Sequence, residues 1–149
     1  MGKPLTQIVP DFREALEEGL QNSAERVVYD LKRAGPYWSG QFESLWQVNA
    51  GRKAIKPRFP TLGPTPTKAR SREITEVDVP ESPNLGGYTI GNQALYRAFA
   101  MDLVPSNYGR KQGNAPNKTA PRFWFDTYFN SQMPRAVNTE IANVFRRYK

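Results

Sequence analysis

The residues with the most chemistry to offer are cations. Between Asn49 and Arg72 the chain reads NAGRKAIKPRFPTLGPTPTKARSR, which places Arg52, Lys53, Lys56, Arg58, Lys68, Arg70 and Arg72 in a row without one carboxylate. Guanidinium and ammonium groups make charge-assisted hydrogen bonds to carboxylate or phosphate. The chemistry on offer is therefore docking on an acidic partner or on a phosphate backbone. The chain carries 21 basic and 14 acidic residues for a net charge of +7, and outside this segment 14 of each sign remain. The positive excess thus belongs to one stretch. Phe59 lies within it, and a second spot sets Tyr108 beside Arg110 and Lys111. Interleaved rings and cations can contact phosphates and stack bases. No recognised nucleic-acid-binding motif organises them, so a solvated loop or a protein-docking arm fits the same residues.

Bond-making chemistry has little to work with. There is no cysteine and no histidine, which removes thiolates, disulfides and the commonest general base and metal ligand. Glu14, Glu17 and Glu18 fit the solvent face of a helix, and Glu73, Glu76 and Asp78 are spaced for a strand rather than for a shared metal. The stretch GPTPTKAR lacks the second glycine and the following helix of a phosphate-binding loop, and no serine sits in a Gly-x-Ser-x-Gly elbow. No enzymatic activity, cofactor or metal is expected.

The elements that must carry the cations are few. A length of 149 residues suits a single domain over 1–149, with a core large enough to fold without staples. Phe12, Leu16, Leu20, Ala24, Val27, Val28 and Leu31 recur at helical spacing and predict a helix over Asp11–Arg33. Asp11 and Glu14 read as its cap, Lys32 and Arg33 as cations at its negative end, and Gly35-Pro36 as its stop. In AGPYWSGQFESLWQV, Ser39-Gly40 can cap a short helix over Gln41–Leu45 before an extended Trp46-Gln47-Val48. Phe42, Leu45 and Trp46 are expected in the core. Tyr37 and Trp38, at the turn, suit either the core or a neighbouring subunit.

The segment 49–72 holds Pro57, Pro60, Pro64 and Pro66, and reads as an extended basic arm. EITEVDV (Glu73–Val79) and YTIGN (Tyr88–Asn92) read as strands, with a turn at Pro80, Pro83 and Gly86-Gly87. QALYRAFAMDL has helix-like spacing, 105–121 is a long polar loop, and Pro134 interrupts or restarts a C-terminal helix with Val137, Ile141, Val144, Phe145 and Tyr148 on its stripe. The fold class is α+β: a small antiparallel sheet, with a long N-terminal helix and C-terminal helices on one face, plus the arm. No apolar run suits a membrane span, and Met1–Thr6 matches the N-myristoylation pattern only as short motifs do by chance.

Three stretches in order, AGPYWSGQFESLWQV, YTIGNQALYRAFAMD and APRFWFDTYF, resemble the tail-completion or head–tail joining (neck) family of tailed bacteriophages. Gly35-Pro36 stands for the family's Ala-Pro, Ser39-Gly40 for its Thr-Gly pair, Phe42 for its leucine and Ile90-Gly91 for its strand end. Tyr96 matches, with Arg97 separating it from Ala98. Asp102 aligns with an acidic residue, although Leu103 follows where the family has glycine. Pro121-Arg122-Phe123 holds the Pro-Phe entry with one insertion. The resemblance implies a structural virion protein assembled in the host cytoplasm. It implies a homo-oligomeric ring of six subunits between connector and tail tube, with connector, stopper, tail-terminator or tail-tube proteins as neighbours and packaged DNA in the lumen. Its mechanism would be assembly, through Tyr37, Trp38, the arm cations and the loop with Arg110 and Lys111. A tail terminator, a head-closure protein and a free nucleic-acid-binding protein are the competing readings.

Overall fold

The computed structural model of the chain describes residues 5–35, 41–58, 73–94 and 123–147. Its frame is α1 (Leu5–Ala34), which contacts both a two-stranded antiparallel sheet and the C-terminal helices, an α+β arrangement. The expected stripe supplies the buried Ala24, Val27, Val28 and Leu31. The helix begins six residues earlier than the sequence suggested, so Asp11 and Glu14 lie inside it and do not cap it. Pro10 therefore falls inside the helix and not ahead of it. Gly19 has a packing role: a Cβ there would lie 3.1 Å from the Ile141 backbone, so the glycine lets the C-terminal helix approach closely. At the other end the Gly35 N–H bonds the Leu31 carbonyl at 3.0 Å. Gly35 is not left-handed; a Cβ there would sit 3.0 Å from the Trp124 indole, so close ring packing explains the glycine.

The short helix α2 (Gln41–Ser44) and strand β1 (Trp46–Ala50) follow where expected, and β2 (Tyr88–Asn92) pairs with β1 from Trp46↔Asn92 to Ala50↔Tyr88. Alternation along β1 buries Trp46 and Val48 on one face. There they join Phe42, Leu45, Ala94, Trp124 and Tyr128 against α1. The Phe42 ring meets Trp46 edge-on at 5.8 Å and Trp124 at 6.5 Å. Each such side chain contributes roughly 1.5–3 kcal/mol by burial, and edge-to-face pairing adds to it. Buried Asn92 ties the sheet to α2: its Nδ2 donates to the Phe42 carbonyl at 2.7 Å, and its Oδ1 accepts the Ala94 N–H at 2.9 Å.

Two expectations are corrected. The segment Glu73–Val79 is irregular, not a strand. Side chains hold it in place of a ladder: Gln21 Nε2 donates to the Val79 carbonyl at 3.3 Å, Thr75 is gripped by Glu43 and Lys32, and Val77 and Val79 pack on the core. Pro134 does not break the last helix. The chain runs from α3 (Trp124–Thr127) through a π-helical turn (Tyr128–Gln132) into α4 (Met133–Arg147) without interruption. The widened turn lies directly ahead of the proline and takes up the ring that would crowd an ordinary one. The turn before β2 forms as expected over Pro83–Leu85, with Asn84 and Leu85 at left-handed φ values of 57° and 55°, followed by Gly87 at φ +72°. Among the described residues no helix is long and apolar enough to cross a membrane.

Candidate docking surface at the roots of the basic arm

β1 absorbs the first two residues of the 49–72 stretch, Asn49 and Ala50. The chain then turns at Gly51, whose φ of +66° is a left-handed value that glycine adopts without strain. The Gly51 N–H continues the ladder to the Gly87 carbonyl at 2.8 Å, and the Thr89 hydroxyl donates to the Gly51 carbonyl at 2.7 Å. The returning chain is fastened to the sheet face opposite the core. Asn49 Nδ2 donates to the carbonyls of Lys53 at 3.3 Å and Ala54 at 3.2 Å. Ile55 lies over Gly91, where a Cβ would fall 2.8 Å from its Cγ1, so only glycine leaves room. The Arg58 N–H donates to the Gln93 carbonyl at 2.9 Å, and Gln93 Nε2 to the Lys56 carbonyl at 3.3 Å.

With the backbone held this way, the side chains of Arg52, Lys53, Lys56 and Arg58 are exposed. No hydrogen bond or ion pair ties any of them to a described residue. The structure therefore brings these four predicted cations together at one root of the arm. Lys68, Arg70, Arg72, Tyr37, Trp38, Arg110 and Lys111 lie outside the described residues, as do the 105–121 loop and most of QALYRAFAMDL.

The far root is fixed by a group the sequence reading passed over. Lys32 stands in the last turn of α1, as expected of a cation at its negative end, but its side chain is 2% exposed and pairs with Glu43, 1% exposed, at 3.2 Å. Lys32 Nζ also donates to the Thr75 carbonyl at 2.8 Å and to its hydroxyl oxygen at 2.7 Å. Glu43 accepts the Thr75 N–H at 2.8 Å and the Thr75 hydroxyl at 3.0 Å. Both charges are thus paired and hydrogen-bonded, the condition for keeping ions out of water. A signal was present: Lys32 stands four residues after Val28 and beside Leu31, on the inward stripe, and Glu43 sits between Phe42 and Leu45.

The carboxylates of α1 are less solvated than expected. Glu17 and Glu18 are half-buried and, with Glu14 and Glu81, line an open cleft of about 320 Å³ that also meets Tyr88. Glu18 is held by Arg147 at 2.7 Å. Burial pushes the Tyr88 hydroxyl above its ordinary pKa. Among the described residues no cluster of three or more acidic side chains could hold a metal ion.

No protein-family model, curated protein or solved structure matches the chain. The motif positions nevertheless have distinct structural tasks. Gly35 admits Trp124, Phe42 is buried at the centre of the ring cluster, and Gly91 admits Ile55. Phe123 takes a left-handed φ of 58° as the residue that opens α3.

Proposed function

We propose that the chain is a structural subunit of a tailed-phage neck, of the head–tail joining or tail-completion type. It builds a closed ring between connector and tail tube and acts by assembly, not catalysis. The observation that carries this reading is the fastening of the basic arm at both roots. Arg58 is bonded to Gln93 at one end and Thr75 to the Lys32–Glu43 pair at the other, while four cations near the first root are left unpaired within the described chain. A solvated loop needs no such anchorage. An arm that must present charge to a neighbour does, because ordering it beforehand lowers the cost of binding. Repeated around a ring, individually weak contacts of this kind add up by multivalency. The order of the three motif stretches supports the same assignment.

The test is a combined Arg52→Gln, Lys53→Gln, Lys56→Gln and Arg58→Gln variant, together with electron microscopy of purified particles. The variant is expected to melt like the parent and to fail in particle assembly. Normal assembly by the variant, or absence of the chain from mature particles, would refute the reading. The four exposed cations also fit a free nucleic-acid-binding protein. In that case the isolated chain binds duplex tightly in dilute buffer, and the affinity falls steeply with salt.

A further inference from the structure

The four unpaired cations at the near root of the arm, Arg52, Lys53, Lys56 and Arg58, have a complement of opposite sign on the same chain. Between α1 and the turn ahead of β2 lies the open cleft of about 320 Å³, whose charged lining is Glu14, Glu17, Glu18 and Glu81. Glu18 is answered by Arg147 at 2.7 Å. Glu14, Glu17 and Glu81 make no hydrogen bond or ion pair, and no described cation lines the cleft. Arg13, exposed on α1, pairs with none of them. Glu14 stands three residues before Glu17 and four before Glu18, spacings at which like charges on a helix repel. The Tyr88 hydroxyl feels the same field: burial raises its pKa first, the Ser82 backbone lowers it, and the charges of Glu81, Glu25 and Glu17 raise it further. Three carboxylates are thus held close together without an internal counter-charge.

We infer that the arm root of one copy, residues 52–58, docks in this cleft on a second copy of the chain. The inference rests on the assembly reading and names the partner of its docking surface. Charge complementarity selects the occupant: four unpaired cations on the root meet three unpaired carboxylates in the cleft. A phosphate backbone would satisfy the root and leave the cleft without a partner. The strand register rules out closure within one copy. Gly91 pairs with Gln47, between the inward Trp46 and Val48, so Ile55 and the root lie on the outer face of the sheet. Tyr88 pairs with Ala50, in phase with Trp46 and Val48, and meets the cleft on the side of α1. The two surfaces therefore belong to opposite faces of one sheet. Joined between copies they form a heterologous contact, which repeats from subunit to subunit and closes a ring when the rotation allows. Apolar groups accompany the charges on both sides: Ala54 and Pro57 are exposed at the root, and Pro83 and Leu85 in the turn beside the cleft.

The experiment measures self-association of the full chain by sedimentation velocity over a range of concentrations, in dilute and in about 1 M salt. The parent is compared with a reversed root (Arg52→Glu, Lys53→Glu, Lys56→Glu and Arg58→Glu), a reversed cleft (Glu14→Lys, Glu17→Lys and Glu81→Lys), and a chain carrying both sets. The parent is expected to associate in dilute salt and to dissociate in concentrated salt. Either set alone should weaken association about tenfold or more, the summed loss of several weak pairs. The chain with both sets should associate again, because its charges are exchanged and still complementary. Should a reversed set unfold the chain, Glu14→Gln, Glu17→Gln and Glu81→Gln replace it. In a mixture of isotope-labelled and unlabelled parent, a zero-length carbodiimide should link Lys53 or Lys56 of one copy to Glu14, Glu17 or Glu81 of another. A parent that stays monomeric in dilute salt, whether or not it binds duplex DNA there, overturns the inference. So does a folded cleft variant that associates like the parent, a folded chain with both sets that does not recover, or cross-links confined to single copies. Failure here is distinct from failure of the assembly reading. A cleft variant that enters particles normally, while the variant with glutamine at all four root positions does not, removes the cleft as acceptor and leaves the arm its role in assembly.

Discussion

Replacing Lys32 by Met keeps the length and most of the volume of the side chain but removes its charge, and the structure sets what that costs. Glu43 would keep its two donors from Thr75 and lose its only described ionic partner, at a site where its side chain is 1% exposed. Stranding one member of a buried pair costs about 3–5 kcal/mol. The surviving Thr75 bonds place this case near 3 kcal/mol. At about 2–4 °C per kcal/mol for a chain of this size, Lys32→Met should lower the melting temperature by about 6–12 °C. Removing both charges, in Lys32→Met with Glu43→Leu, should restore most of the loss, because no ion is then left in an apolar setting. The assay is urea denaturation of the parent, both single variants and the double variant, read as a double-mutant cycle. The Thr75 amide, which donates to Glu43, should also lose exchange protection in Glu43→Leu and in the double variant. A single variant within 1 kcal/mol of the parent, or a double variant that loses the sum of the two singles, would show that the pair is not the buried anchor described.

Two further outcomes follow from the geometry. Gly91→Ala would set a methyl group 2.8 Å from Ile55 Cγ1, so it should destabilise the protein by about 1–3 kcal/mol and expose the Arg58 amide to exchange; Ile55→Ala in the same chain should reverse most of this, and an Arg58 amide still protected in Gly91→Ala would contradict the role given to the glycine. Burial, and then the hydrogen bond to Asp30, push the Tyr128 hydroxyl well above its ordinary pKa of 10.0. A raised folded value means that this contribution is whole below pH 10.0 and is lost as pH rises through the folded pKa. Stability measured by urea melts should therefore fall at strongly alkaline pH, and Tyr128→Phe should flatten part of that fall; an identical alkaline slope in the variant would refute the assignment.

The stripe of α1 apart from the exposed Phe12, the short helix, both paired strands and the C-terminal stripe as far as Phe145 were legible in the sequence because each depends on local periodicity; Tyr148 lies outside the described residues. Errors arose where a distant residue decides. Glu73–Val79 alternates well enough for a strand, yet Thr75 is claimed by a buried ion pair drawn from α1 and α2. Lys32 reads as a terminal cation until Glu43 is placed beside it. Gly19, Gly35 and Gly91 look like a helix defect, a stop and a strand end. Each in fact clears space for a partner far along the chain, Ile141, Trp124 and Ile55 in turn. For the docking surface, the charge of the arm was evident from composition. Its fastening was not, because the bonds run through Asn49, Gln93 and Thr75, whose residue types announce nothing.

The π-helical turn also sets the phase of the last helix. Trp124, Tyr128, Ala136 and Val144 are all buried and stand in multiples of four. An ideal α-helix advances about 100° per residue, so each step of four overshoots a full circle by about 40°. Five such steps would carry Val144 about 200° away from Trp124, to the far side of the rod. One wide turn absorbs about one residue of rotation and halves that drift. The aromatic start and the aliphatic end of the helix can then both face α1. Point substitutions leave this angular offset intact, whereas loss of a single residue from Tyr128–Gln132 would swing Trp124 away from Phe42 and undo the ring cluster from a place where no core residue had been changed.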